Sequence, residues 1–159
     1  MDIRSLPKDC KIVPILSYTS GTADRTSDVI DHLGFDRCCI LVHFAAIAAG
    51  GTNSIFRQHA DAASNETTLT SGADVLGSLQ TIVDTDDNNV KFMDFKPSKR
   101  YTQLNVDKDT ANACAESAIA ILYHAKEVPV TLAGGTSTIG DGTGTVAGEY
   151  DNVSIAGTK

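Results

Sequence analysis

Cys39-Ile40-Leu41-Val42-His43-Phe44-Ala45 is the stretch that decides how this chain folds. Successive side chains of a strand point to opposite faces, so Ile40, Val42 and Phe44 share one face and Leu41 and Ala45 the other. Apolar residues on both parities predict a central strand. The nearly apolar run around it, Cys38 to Ala49, spans 12 residues and contains His43, whereas a membrane helix needs about 20. No spanning segment is expected.

Working outward, the Gly50-Gly51 break is followed at once by Ser54-Ile55-Phe56-Arg57-Gln58-His59, which predicts a hairpin partner for the central strand. On the N-terminal side, Ser27-Asp28-Val29-Ile30-Asp31 has a β-branched centre, and Gly34 then marks a turn. Strand signals return at Leu79 to Val83, Val90 to Phe95 and Arg100 to Val106. Between the first two, Asp84 to Asn89 supplies Asx residues that tolerate left-handed turn geometry. The polar segment Asp61 to Thr70 reads as a surface loop, and Ala73 to Leu76 as one helical turn at most. Ser117 to His124 is rich in Ala, which favours helix. Ile119, Ile121 and Tyr123 nevertheless alternate, and Pro129 closes the stretch, so a strand is expected there.

Six to eight short strands with a turn every ~8–12 residues, and no βαβ rhythm, predict an all-β fold. The expected form is a jelly-roll-like antiparallel β-sandwich with extended N- and C-terminal arms. Residues 1–20 read as an arm or as the first strand, 21–129 as the sandwich, and 130–159 as a Gly/Thr-rich arm. Truncating Ile12 to Tyr18 separates the first two readings, because losing a first strand unfolds the domain. Fully extended, Glu127 to Lys159 reaches roughly 110 Å. Candidate contacts to neighbours are Ile12, Val13, Ile15 and Leu16 in the first arm and Tyr150, Val153 and Ile155 in the second.

The 159 residues are enough for one core. With 13 Lys and Arg against 20 Asp and Glu, the net charge of -7 supplies no global basic field for nucleic acid or anionic membrane. The N-terminal MDIRSLPKDCKIVPILSY carries Asp2 and Pro7 and no basic region leading into a continuous apolar core, so secretion by a standard signal is not expected. Cys10, Cys38, Cys39 and Cys114 form no Cys-x-x-Cys pair, and Cys38 and Cys39 would face opposite ways on a strand. Free thiols in a reducing compartment follow.

No segment carries a complete chemical motif. Asp84, Asp86, Asp87 and Asn88 resemble the opening of a calcium loop, but Asn89 stands where its sharp-turn glycine belongs and Phe95 where a bidentate Glu would close it. His32, His43, His59 and His124 show no metal spacing, although the last three lie in or beside strands that could bring them together. Cys39 or Cys114 lacks the flanking motif of a nucleophile. Gly134-Gly135-Thr136 and Gly140 to Gly144 lack the Lys-Ser/Thr of a phosphate loop. Lys96, Lys99 and Arg100 with Tyr101 form a basic group too small to imply nucleic acid, suited to a salt-sensitive contact with an acidic neighbour or to simple solvation. No catalytic residue, metal or cofactor is expected.

A resemblance then enters on Arg25 to Asp31, Ala45-Ala46-Ile47 with Gly50-Gly51-Thr52, Phe56 to Asp61, Val75 to Ser78, and Lys99 to Leu104. Between about Asp24 and Pro129 the chain resembles the capsid cement, or decoration, proteins of tailed bacteriophages. The resemblance implies a β-rich oligomer, often a trimer, on the outer surface of the phage head. Its partners would be the major capsid protein and copies of itself, with no nucleic acid and no membrane, and it would be made in the host bacterial cytoplasm. Tail or head-fibre proteins share such architecture. A carbohydrate-binding sandwich is the alternative from another class, with Tyr101, Tyr123 and Phe56 as its aromatic platform. The absence of Trp and the 6% aromatic content weigh against it.

Overall fold

The computed structural model describes residues 10–50, 52–108 and 113–126. The fold is all-β and antiparallel. Its strands are β1 (Lys11–Gly21), β2 (Arg25–Thr26), β3 (Ile30–Asp31), β4 (Phe35–Ile47), β5 (Asn53–Ala60), β6 (Ala62–Asn65), β7 (Thr68–Thr70), β8 (Ala73–Asp74), β9 (Gln80–Ile82), β10 (Val90–Phe95), β11 (Tyr101–Asp107) and β12 (Cys114–Ala125). One sheet has the order β1-β12-β4-β10, and the other the order β2-β11-β5-β8 with β3 and β9 attached to β11 and β5.

The two sheets enclose one core. Ile40, Val42 and Phe44 of β4 and Ala118, Ala120 and Leu122 of β12 meet Ile55 of β5 and Leu104 and Val106 of β11, with Ile30 and Ile82 closing the sides. Each Val, Leu, Ile or Phe fully buried in this way contributes ~1.5–3 kcal/mol, which is what fixes the register of the strands. The central strand is as expected, with Ile40, Val42 and Phe44 all inaccessible and Leu41 and Ala45 half-buried on the other face.

Two bulges explain burial that alternation alone misses. From Phe44 to Ile47, β4 uses three steps where β12 uses two, Glu116 to Cys114, so the parity flips and Ile47 also turns inward. In β1, the two steps from Pro14 to Leu16 oppose the single step from Ile119 to Ala118, and the consecutive residues Ile15 and Leu16 are both buried. Pro14 is tolerated because β1 lies at the sheet edge.

Several expectations are corrected. The hairpin between β4 and β5 does not form: β4 pairs β12 and β10, while β5 pairs β11, β8 and β9 in the opposite sheet. The chain therefore crosses between sheets from β4 to β5, which a local pattern cannot distinguish from a tight turn. The polar Asp61–Thr70 segment holds the β6–β7 hairpin, turned by Asn65, whose Oδ1 accepts hydrogen bonds from Thr67 N and Oγ1. Ala73 to Leu76 supplies β8, which pairs β5. Of the predicted Ser27–Asp31 strand only Ile30–Asp31 forms one, β3; β2 lies before it, and Ser27 between the two turns its Oγ inward to accept the Leu104 amide.

In the segment 1–20 the structure has β1 (Lys11–Gly21), which pairs along β12, and residues 1–9 lie outside the described residues. The expected helix-or-strand ambiguity at Ser117–His124 resolves as strand, since β12 lies between β1 and β4 and its Ala residues let the two sheets approach.

Candidate interaction surface

An antiparallel sheet commonly keeps one face for the core and gives the other to water, with polar residues outward. The β2-β11-β5 sheet covers its outer side with the chain's own hairpin. Gln103 points outward between inward-facing Thr102 and Leu104, yet is only 4% exposed, because its Nε2 donates to Thr67 O at 2.8 Å and to Ser27 O at 2.6 Å. Val29 N donates to Glu66 O at 2.7 Å and fastens the hairpin tip.

The β1-β12-β4-β10 sheet has no such cover among the described residues, and its outer face is apolar. Pro14, Ile119, Leu41 and Phe92 stand in register across all four strands. Two residues along the strands lies the row Ile12, Ile121, Cys39 and Asp94, and two residues the other way Ser117, His43 and Val90. Side chains directly opposite one another are within about 5.5 Å at Cβ, so these rows form a continuous surface. Phe92 is 64% exposed, Val90 53%, Ile119 38% and Ile12 37%.

A polar cluster closes the Cys39 end. Arg37 Nε donates to Tyr123 Oη at 2.8 Å, Arg37 Nη2 to Asp94 Oδ2 at 3.0 Å, and Tyr123 Oη to Asp94 Oδ1 at 2.5 Å. The Tyr123 hydroxyl, and then the Arg37 guanidinium, hold the Asp94 carboxyl below its ordinary range, while burial and the neighbouring Asp94 raise the Tyr123 phenol. These groups satisfy one another and fix the rim of the apolar rows. Cys39, half-buried beside Asp94, has its thiol pushed up by burial and by that carboxylate.

The residues expected from sequence are distributed unevenly over this surface. Ile12 is part of it, Val13 packs partly against the core, and Ile15 and Leu16 are core residues of this domain, not contacts offered to a neighbour. Tyr150, Val153 and Ile155, and the arm 130–159, lie outside the described residues. Sequence reading missed Leu41, Phe92, Ile119 and Ile121 as surface residues, because a strand apolar on both parities looks the same whether its second face meets another layer or solvent.

The other constellations are dispersed. His43 is on the apolar sheet, His59 Nδ1 bonds Ser98 Oγ at 2.9 Å, His124 follows Tyr123, and His32 is buried with Nε2 2.8 Å from Thr102 Oγ1. Cys38 and Cys39 do point to opposite faces, and burial pushes the Cys38 and Cys114 thiols up to about 12, away from any thiolate chemistry at neutral pH. In the Asp84–Asn89 turn, Asp86 accepts Val83 N and pairs with Lys91 Nζ at 2.6 Å, Asp87 accepts Ile47 N at 2.7 Å, and Asn88 takes the left-handed conformation with φ 57°. Phe56 and Tyr101 belong to one sheet and Tyr123 to the other, so the three aromatic residues do not make one platform.

No protein-family model matches this chain, and no curated protein matches it.

Proposed function

We propose that this chain is a virion structural protein that binds the outer surface of a tailed-phage head and stabilises it by clamping adjacent major capsid subunits. The observation that carries the reading is the apolar outer face of the β1-β12-β4-β10 sheet, centred on Pro14, Ile119, Leu41 and Phe92 and left uncovered by the described residues. A face of this kind is costly to leave in water and marks a protein contact. The strand winding supports it too. From β1 to β12 the chain passes repeatedly between the sheets, giving the orders β1-β12-β4-β10 and β2-β11-β5-β8, which supports a jelly-roll-like winding of the kind many shell-associated proteins use. A protein that binds only the assembled shell raises the shell's resistance to heat by linkage.

The test is co-sedimentation of the full chain with heads of the encoding phage stripped of it. Wild-type protein is expected to pellet with heads and raise their melting temperature, and the Phe92→Asp, Ile119→Asp double variant, folded by circular dichroism, is expected to stay in the supernatant. Binding to tails but not heads, or equal head binding by the variant, overturns the reading.

A further inference from the structure

Where the chain turns from β10 into β11, a cleft of about 300 Å³ is lined by His32, Asp36, Lys96, Lys99, Arg100 and Lys126, among other residues. Four cations against one carboxylate is the reverse of the chain as a whole, whose net charge is -7. Two of the cations are engaged from outside the cleft, Arg100 by Asp31 at 2.9 Å and Lys99 by Asp61 at 3.0 Å. Lys126 reaches Asp36 only at 3.9 Å, and among the described residues Lys96 has no carboxylate within ion-pair distance. Arg57, half-buried with its guanidinium 3.6 Å over the Phe95 ring, adds a further positive charge near His32. His32 itself is 5% exposed, and its Nδ1 has no hydrogen-bond partner among the described residues. A cleft lined by one free and one loosely paired ammonium is an arrangement that an entering carboxylate completes.

The opposite end of β10 carries the matching group. The 3-10 helix Asp84–Asp86 and the following Asp87 hold three carboxylates, of which Asp86 is paired with Lys91 and Asp87 caps the Ile47 amide. Asp84 is exposed, and among the described residues its side chain has no partner. The six residues of β10 separate the two ends by roughly 20 Å. We infer that the basic cleft receives the acidic Asp84–Asp87 turn of a second copy, joining copies head to tail. The donor and the acceptor are different patches of one chain, so the contact is heterologous, and copies related by a closing rotation form a ring. The contact is electrostatic and weakens as salt shortens the Debye length from about 10 Å at 0.1 M to about 3 Å at 1 M. It stands apart from the apolar sheet face and does not depend on a shell being that face's partner.

The experiment is the mass of the full-length chain by light scattering at 0.05 M and 1 M NaCl. A multimer at low salt that falls toward monomer at high salt is expected. Lys96→Glu with Lys126→Glu is expected to give monomer at low salt, as is Asp84→Lys alone, and mixing these two monomeric variants is expected to restore a complex, because one supplies an intact turn and the other an intact cleft. A low-salt monomer for the wild type, a multimer unaffected by either set, or variants that fail to complement on mixing while circular dichroism reports native folds, overturns the inference.

Discussion

The Lys108 ammonium lies 2.9 Å from the Glu116 carboxylate, and both side chains are removed from solvent, at 1% and 0% exposure. The same carboxylate takes Arg25 Nη1 at 2.9 Å through its other oxygen, and Lys108 also donates to the carbonyls of Gly21 and Cys114, each at 3.0 Å. This triad ties β1, β2, β11 and β12 together at one end of the sandwich. Buried ion pairs contribute little net stability over an apolar replacement, but removing one member strands the others in a low dielectric. Glu116→Ala is expected to cost about 3–5 kcal/mol in urea unfolding, and Lys108→Met with Glu116→Leu to recover most of that loss. A Glu116→Ala midpoint within error of wild type would show that the triad is solvated.

Stability should fall in mild acid because of His32. Burial is the largest cause of its pKa lying at about 4, below the ordinary 6.5. The unfolded chain therefore takes up this proton first as pH falls. The contribution is complete above pH 6.5 and is lost between there and about 4, amounting to roughly 3 kcal/mol. Urea unfolding at pH 7.5 and 4.5 should show this drop in wild type and a clearly smaller one in His32→Gln.

Ile15 and Leu16 belong to the core, so Ile15→Ala is expected to destabilise the isolated domain by about 2–5 kcal/mol. Deleting residues 1–21 removes the whole of β1 and should leave an unfolded chain by circular dichroism. A deletion variant that melts cooperatively near the wild-type temperature would return this segment to the status of an arm.

Cys39 offers a reporter on the apolar face. It is half-buried, whereas Cys10, Cys38 and Cys114 are at most 2% exposed. Alkylation of the native protein should modify Cys39 slowly, since its thiol is pushed up, and the other three only in denaturant. Bound heads should protect Cys39 further. An unchanged rate in the presence of saturating heads would direct attention away from this sheet.

The legibility of this fold from sequence follows the range of the interactions involved. The β4 alternation at Ile40, Val42 and Phe44, and the left-handed Asn88 in an Asx-rich turn, are written locally, because side-chain parity and short polar side chains act within a few residues. The conversion of Asp61–Thr70 from an expected loop into a hairpin was less legible, since a polar strand that lies over another sheet has no apolar period to announce it.

By itself the sequence determined that the chain is all-β and where its main strands run, while the Ala-rich β12 was settled as strand by its place between β1 and β4. Pairing partners were decided only by the tertiary structure: that β4 meets β12 and not β5, that the bulge in β1 sends Ile15 and Leu16 inward, and that Glu116 meets Lys108 and Arg25. Each of these depends on which distant segment buries the most apolar surface, a property of the assembled sheets. The same reason separates the two faces of β4, since Val42 and Leu41 are equally apolar in the sequence and only the packing of the second sheet makes one a core residue and leaves the other facing outward.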